Sequence, residues 1–150
     1  MPRSLSQIVS WQQVVVAVGL LISIALAACG GDSKPPPVTV EPTMASIQAE
    51  IFTPTCATSN CHSSAQGEAG LVLEAGMSHQ NLVGVVPTTR DAQLEGLLRV
   101  DPNDPDNSFL IQKLRGVPAT KGRRMPNGGP YLSDGEIDVI EEWITNGAPE

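Results

Sequence analysis

The sequence predicts a small, mostly α-helical domain with long loops. Apolar residues recur at helical three-and-four spacing in separated segments, and helix-start signals precede several of them. The chain contains 13 prolines and 14 glycines, which limit the length of regular elements. No stretch sustains the period-two alternation of a half-buried strand, so we do not expect a sheet.

The first predicted helix covers residues 44–52. Met44, Ile47 and Ile51 share one of its faces. Pro54 is expected to end the helix, because proline has no backbone N–H and its ring clashes with the preceding turn. The helix therefore delivers the chain directly to a pair of cysteines.

Two shorter helices are predicted in the middle of the chain. One covers residues 77–83. The other is predicted to start at Asp104 as N-cap, with Pro105 at the first helical position, and to run to about Leu114 before stopping at Gly116. The segments between helices are predicted as loops or brief extended pieces: 63–70, 86–91, 97–100 and 117–130.

The clearest helix signal lies near the C-terminus. Ser133 and Glu136 have the spacing of a capping box, and Leu132 and Ile137 are placed as its hydrophobic staple. Isoleucines and Trp143 then recur on one side, and Asn-Gly is expected to end the helix.

Residues 1–28 are predicted to be a lipoprotein signal peptide. The apolar, uncharged segment 14–28 has the form of an export signal. It ends in Leu-Ala-Ala-Cys, which resembles the bacterial lipobox and implies cleavage before Cys29 and lipid on its sulfur. The alternative is a plain signal peptide or an uncleaved anchor. We expect an exported protein, anchored by lipid to a bacterial membrane, periplasmic or at the cell surface.

The exported part divides into the lipidated Cys29 with a Pro- and Gly-rich linker, residues 29–43, and one domain, residues 44–150. Proline makes such a linker an extended, semi-rigid spacer. The formal net charge of the chain is −7, which argues against nucleic acid as a partner because nucleic-acid binding needs a basic face. Through its lipid, such a protein has the membrane as an expected partner.

The chemistry-bearing motif is Cys56, Cys61 and His62. A c-type haem-attachment signature places histidine directly after the second cysteine, usually with two residues between the cysteines; here there are four. The two thiols would bond the porphyrin as thioethers and His62 would ligate its iron. The alternative is a Cys56–Cys61 disulfide that closes a small loop, with His62 at the surface.

A second axial ligand is predicted at Met125. A six-coordinate haem iron in an electron carrier commonly takes Met or His on its other face. Met125 is followed by Pro126 in the loop before the C-terminal helix. Arg123 and Arg124 flank it and would either pair with haem propionates or remain solvated loop charges.

From Met44 to Glu150 the chain resembles class I cytochromes c. The resemblance rests on Cys56, Cys61 and His62, then on Met125, then on the terminal Leu-Ser…Trp-Ile…Gly-Ala segment. It implies a small class I cytochrome c-like helical domain with long loops around one covalent haem c. It also implies His62 and Met125 as iron ligands. The departure from the family pattern is the four-residue cysteine spacing.

Rival ligands remain open at this point. His79 is the only other histidine and would give a bis-His centre; Met77 and Met44 are further candidates. A zinc site of Cys56, Cys61 and His62 with His79 as fourth ligand is conceivable, since these are zinc ligand types.

The expected function is that of a membrane-tethered monohaem c-type cytochrome that carries single electrons, with no catalytic residues. Its expected partners are redox proteins of the envelope. The alternative is a haem-free, disulfide-stapled surface lipoprotein domain with a binding or structural role. A third possibility is a haem with an open site, acting as a sensor or peroxidase, in which Met125 is not bound.

Overall fold

The computed structural model describes residues 39–117 and 121–150, which belong to a compact unit spanning Thr39–Glu150. The predicted signal peptide, Cys29 and most of the predicted linker lie outside the described residues. No helix in the described part of the chain is long and apolar enough to cross a membrane.

The described residues form helices and no strands, which confirms the prediction of a mostly α-helical domain. Two isolated parallel bridges join Val83 to Val100 and Leu98 to Ser108. A π-helix over Gln48–Cys56 continues directly from α1, and one 3₁₀ turn covers Glu68–Gly70. The α-helices are α1 Met44–Ile47, α2 Ser78–Leu82, α3 Arg90–Leu94, α4 Phe109–Arg115 and α5 Asp134–Thr145.

The first helix continues beyond its predicted end. Thr43 caps α1 by accepting a hydrogen bond from the backbone N of Ser46, but Pro54 lies inside the helical segment rather than at its end. The π-helix accommodates this proline, and its last bond runs five residues back, from Ala57 N to Phe52 O at 2.8 Å. The helix therefore ends at Cys56 itself.

Helix α4 begins five residues later than the predicted N-cap. The carboxylate of Asp104 accepts hydrogen bonds from the backbone and side-chain nitrogens of Asn107, so it closes a turn instead of capping a helix. The first N–H groups of α4, on Phe109 and Leu110, donate to the carbonyls of Leu98 and Arg99, each at 2.9 Å. This tertiary pairing satisfies donors that a helix N-terminus leaves free.

Helix α3 was not predicted; the sequence indicated only irregular structure there. It follows Thr89, and its Ala92 is fully buried in a small cluster with Leu97 and Phe109. One buried alanine among polar neighbours gives no periodic signal, so the helix depends on that contact.

Helix α5 matches its predicted cap. The Ser133 hydroxyl accepts from the backbone N of Glu136, and the Glu136 carboxylate accepts from the backbone N of Ser133. The apolar face of α5 carries Ile137, Ile140, Trp143 and Ile144, all with no exposed side-chain surface. They pack in the main core with residues of α1 and the π-helix, so the element that leads to the cysteines is anchored on the best-formed helix.

Candidate functional site

The chain between the two cysteines is a closed turn. The backbone N of Cys61 donates to Thr58 O, and the backbone N of His62 donates to Cys56 O, both at 3.0 Å. Cys56 is the last residue of the π-helix, so its position is set by the packed helix behind it. These bonds bring His62 back beside the first cysteine despite the long spacing.

His62 is held in one tautomer. Its Nδ1 lies 3.1 Å from the backbone O of Leu71. A carbonyl can only accept, so Nδ1 carries a proton, and in the neutral imidazole Nε2 is the nitrogen with a lone pair for a metal. Leu73 N also donates to His62 O at 2.7 Å, which fixes the residue between two backbone contacts. Metal-bound histidines commonly have such an oriented second nitrogen.

Met125 is held by α4. Its backbone N donates to Lys113 O at 2.9 Å, and its side chain is half-buried against the main core. The Lys113 ammonium also donates to the carbonyls of Lys121 and Arg123 in the same loop. Three bonds from one residue of α4 therefore position the segment that carries the thioether sulfur.

His62 and Met125 line the same two cavities. The smaller cavity has a volume of about 330 Å³ and the larger about 510 Å³, and Cys56, His62 and Met125 border both. Volumes of this size are typical of sites that take a cofactor or drug-sized ligand. Cys61 borders only the larger cavity, whereas Leu71 and Leu73, the apolar pair behind His62, border the smaller.

Both cysteines are free thiols, so the structure lends no support to the disulfide alternative. Cys61 is exposed, while Cys56 is half-buried. Burial, and secondarily the neighbouring Cys61, raises the pKa of the Cys56 thiol to about 12. A thiol with such a pKa stays protonated at neutral pH when nothing is bound to it.

The cations at the site are not those that the sequence suggested. Arg124 donates to Leu114 O at 2.6 Å and lies over the Tyr131 ring, and neither it nor the exposed Arg123 lines a cavity. The smaller cavity is lined instead by Arg99, Lys113 and Lys121. Sequence reasoning missed these three residues because Arg99 and Lys113 lie far along the chain from the Cys-Cys-His motif and Lys121 is not adjacent to Met125.

Burial lowers the pKa of two of these cations, Arg99 and Lys113. Both sit in surroundings that stabilise a positive charge poorly, because most of their partners are neutral carbonyls.

The rival ligands lie elsewhere. His79 donates from Nε2 to Ala148 O at 2.9 Å and packs edge-on against Trp143, and it lines neither cavity. Met44 is buried in the main core, and Met77 is exposed. Within residues 39–117 and 121–150, no group of three His, Cys, Asp or Glu side chains could hold a metal ion, so nothing there supports the zinc alternative.

The donor set fits a c-type haem. It consists of an oriented imidazole and a thioether bordering the same apolar cavities, with two free thiols at one edge. His and Met are axial ligands of haem iron in electron carriers. No protein-family model, no curated protein and no solved structure matches the chain.

Proposed function

We propose that this chain is a membrane-tethered monohaem c-type cytochrome that carries single electrons by outer-sphere transfer. The observation that carries the proposal is that His62 and Met125, far apart in sequence, border the same two cavities together with Cys56. The finer fold, a class I cytochrome c-like domain, is part of the same proposal.

When bound, haem supplies an iron that cycles between the ferrous and ferric states. His62 would ligate the iron through Nε2, and its bond to Leu71 O orients the imidazole for that role. Met125 would supply a soft sulfur ligand, which favours the ferrous form and raises the potential. Cys56 and Cys61 would hold the porphyrin covalently, which would prevent its loss outside the cell.

The exported location remains part of the proposal. A lipidated Cys29 and the Pro-rich linker would keep the domain near envelope redox partners. Tethering raises the effective concentration of such partners without adding any contact. Nothing in the acidic composition favours nucleic acid as a partner.

The first test is expression in a bacterial host competent for haem attachment, followed by mass spectrometry and haem staining of the denatured protein. We expect one covalent haem on the mature chain, and none on the Cys56→Ser/Cys61→Ser double variant. A colourless wild-type protein whose two cysteines are joined to each other would contradict the proposal.

The second test assigns the sixth ligand. Met125→Ala should abolish the weak far-red charge-transfer band that a Met–ferric haem bond produces. Met77→Ala is the matched control, because Met77 is exposed and borders neither cavity. A band that survives Met125→Ala would contradict the ligand assignment. A wild-type ferric haem without the band would favour the sensor or peroxidase alternative.

A further inference from the structure

The two cavities differ in charge. The smaller cavity is bordered by Arg99, Lys113 and Lys121, whereas no lysine or arginine of the described residues borders the larger one. Cys61 borders only the larger cavity. Cys56 and the Glu68 carboxylate border both cavities, so the two differ in that the three cations border only the smaller cavity and Cys61 borders only the larger.

Arg99 is a buried guanidinium without a carboxylate partner among the described residues. The residue is 8% exposed, and its nitrogens donate to the carbonyls of Asn81, Ala69 and Gly70 at 2.9–3.2 Å. An arginine has five N–H donors, so two remain beyond these three bonds. Neutral carbonyls satisfy hydrogen bonds without neutralising the charge, and an uncompensated buried charge is costly.

Lys113 is half-buried and also lacks a carboxylate partner among the described residues, whereas Lys121 has one. The Lys113 ammonium donates to the carbonyls of Lys121 and Arg123 and lies 5.9 Å from the centre of the Phe109 ring. Lys121 is 4% exposed but is paired with the Glu95 carboxylate and donates to Gln112. Two of the three cations thus keep an unneutralised charge at the smaller cavity.

We propose that Arg99 and Lys113 bind the carboxylates of the bound tetrapyrrole. This inference rests on the proposed function. The propionates of a haem lie on the edge opposite to the two positions that bond cysteine. Correspondingly, the cations border only the smaller cavity and Cys61 borders only the larger, while Cys56 borders both. Arg99 suits this role because its guanidinium stays charged and keeps two N–H donors, one on Nε and one on Nη1, beyond its three carbonyl bonds.

Binding of the carboxylates by these two cations affects the ferrous–ferric equilibrium of the haem. A positive charge near the haem favours the ferrous form, and it also lowers the pKa of a neighbouring carboxyl group. The charged groups that border the smaller cavity are Arg99, Lys113, the Glu95-paired Lys121 and the exposed carboxylate Glu68. The first two therefore dominate the field at the propionates.

The test measures the midpoint potential of the haem-loaded domain as a function of pH for Arg99→Gln and Lys113→Met. We expect each variant to shift the ferrous–ferric equilibrium toward ferric by about tenfold at pH 8, which is about 59 mV for one electron. The propionate titration, visible as the range where potential changes with pH, should move to higher pH. Arg99→Lys should restore most of the potential.

Arg123→Gln is the matched control, because it removes the same charge from an exposed side chain that borders neither cavity. Retention of the Met–ferric band in each variant excludes a displaced Met125 as the cause. If Arg99→Gln fails to fold, Lys113→Met and Arg99→Lys still decide the question.

The outcomes separate the two proposals. A wild-type domain without covalent haem overturns both. Two outcomes overturn only the proposed carboxylate-binding role of Arg99 and Lys113 when the wild type does carry haem. In the first, Lys113→Met and Arg99→Gln have the same potential and propionate titration as the wild type. In the second, Arg123→Gln changes both quantities as much as those two variants do.

Discussion

Replacing Gly116 with alanine tests how α4 holds the loop that carries Met125. Gly116 has φ +78°, and a Cβ at this position would lie 2.9 Å from Cδ and 3.1 Å from Cβ of Arg124. Arg124 lies there because its Nε donates to Leu114 O and its guanidinium lies 4.2 Å from the centre of the Tyr131 ring. Gly116→Ala is therefore expected to displace the whole Arg124 side chain, beginning at its Cβ.

The magnitude has two parts. An alanine in the left-handed region costs about 1–2 kcal/mol. Displacing Arg124 removes a charge-assisted hydrogen bond worth about 1.5–3 kcal/mol and a cation–π contact worth about 0.5–1 kcal/mol. Because relaxation of the loop recovers part of this, we expect a total loss of about 3 kcal/mol. Gly76→Ala is the control: its φ is +79° and nothing lies within 4 Å of the added Cβ.

The assay is equilibrium unfolding in guanidinium chloride, with the slope checked for equality among variants. Gly76→Ala should lose only the conformational part, about 1–2 kcal/mol. In an Arg124→Ala background the contacts with Cγ and Cδ are absent and only the 3.1 Å contact with Cβ remains, so Gly116→Ala should cost less there than in the wild-type chain and approach the loss of Gly76→Ala. Equal losses for the two glycine variants in the otherwise wild-type chain would refute the reasoning.

Three further predictions concern a cap, a rejected ligand and a thiol. Ser133→Ala should lower the free energy of unfolding by about 1 kcal/mol in a denaturant titration, because it removes an N-cap; no loss would mean that the cap is redundant. His79→Asn should leave the visible spectrum of the loaded protein unchanged, since His79 borders neither cavity; a lost axial band would show that it is a ligand. In haem-free protein, burial raises the pKa of Cys56 from 9.0 to about 12. The unfolded chain therefore ionises first, and the free energy of unfolding should fall as pH rises from about 9 toward 12. Cys56→Ala should remove this slope in unfolding titrations, while iodoacetamide at pH 8 should label the exposed Cys61 well before Cys56.

Local signals predicted those elements whose stabilising contacts are local. Ser133 and Glu136 cap α5 through bonds that span three residues, so the sequence spacing alone identifies them. Asp104 carried a comparable signal, yet α4 begins at Phe109 because its first N–H groups bond to Leu98 and Arg99. A local propensity gives way when a distant segment supplies the partner, and one sequence does not reveal such partners.

The same limit applies to the site. Cys56, Cys61 and His62 are adjacent enough in sequence to be recognised as a motif. Arg99 lies in a short apolar segment, and only the fold brings it to the cavity beside Leu71 and Leu73. The sequence instead offered Arg123 and Arg124, next to Met125, either as propionate partners or as solvated loop charges, because a sequence shows only proximity along the chain.

The π-helix and the long cysteine spacing are best explained as one local arrangement. The helix passes Pro54 and ends at Cys56, so the first thiol is fixed by a packed element. The turn from Thr58 to Cys61 then contains the two residues that a motif with the usual spacing lacks, and residues 58–60 in it are exposed. The bond from His62 N to Cys56 O closes this loop. The imidazole thus returns to the first cysteine at the same cavities, and the added length is accommodated at the surface instead of at the site.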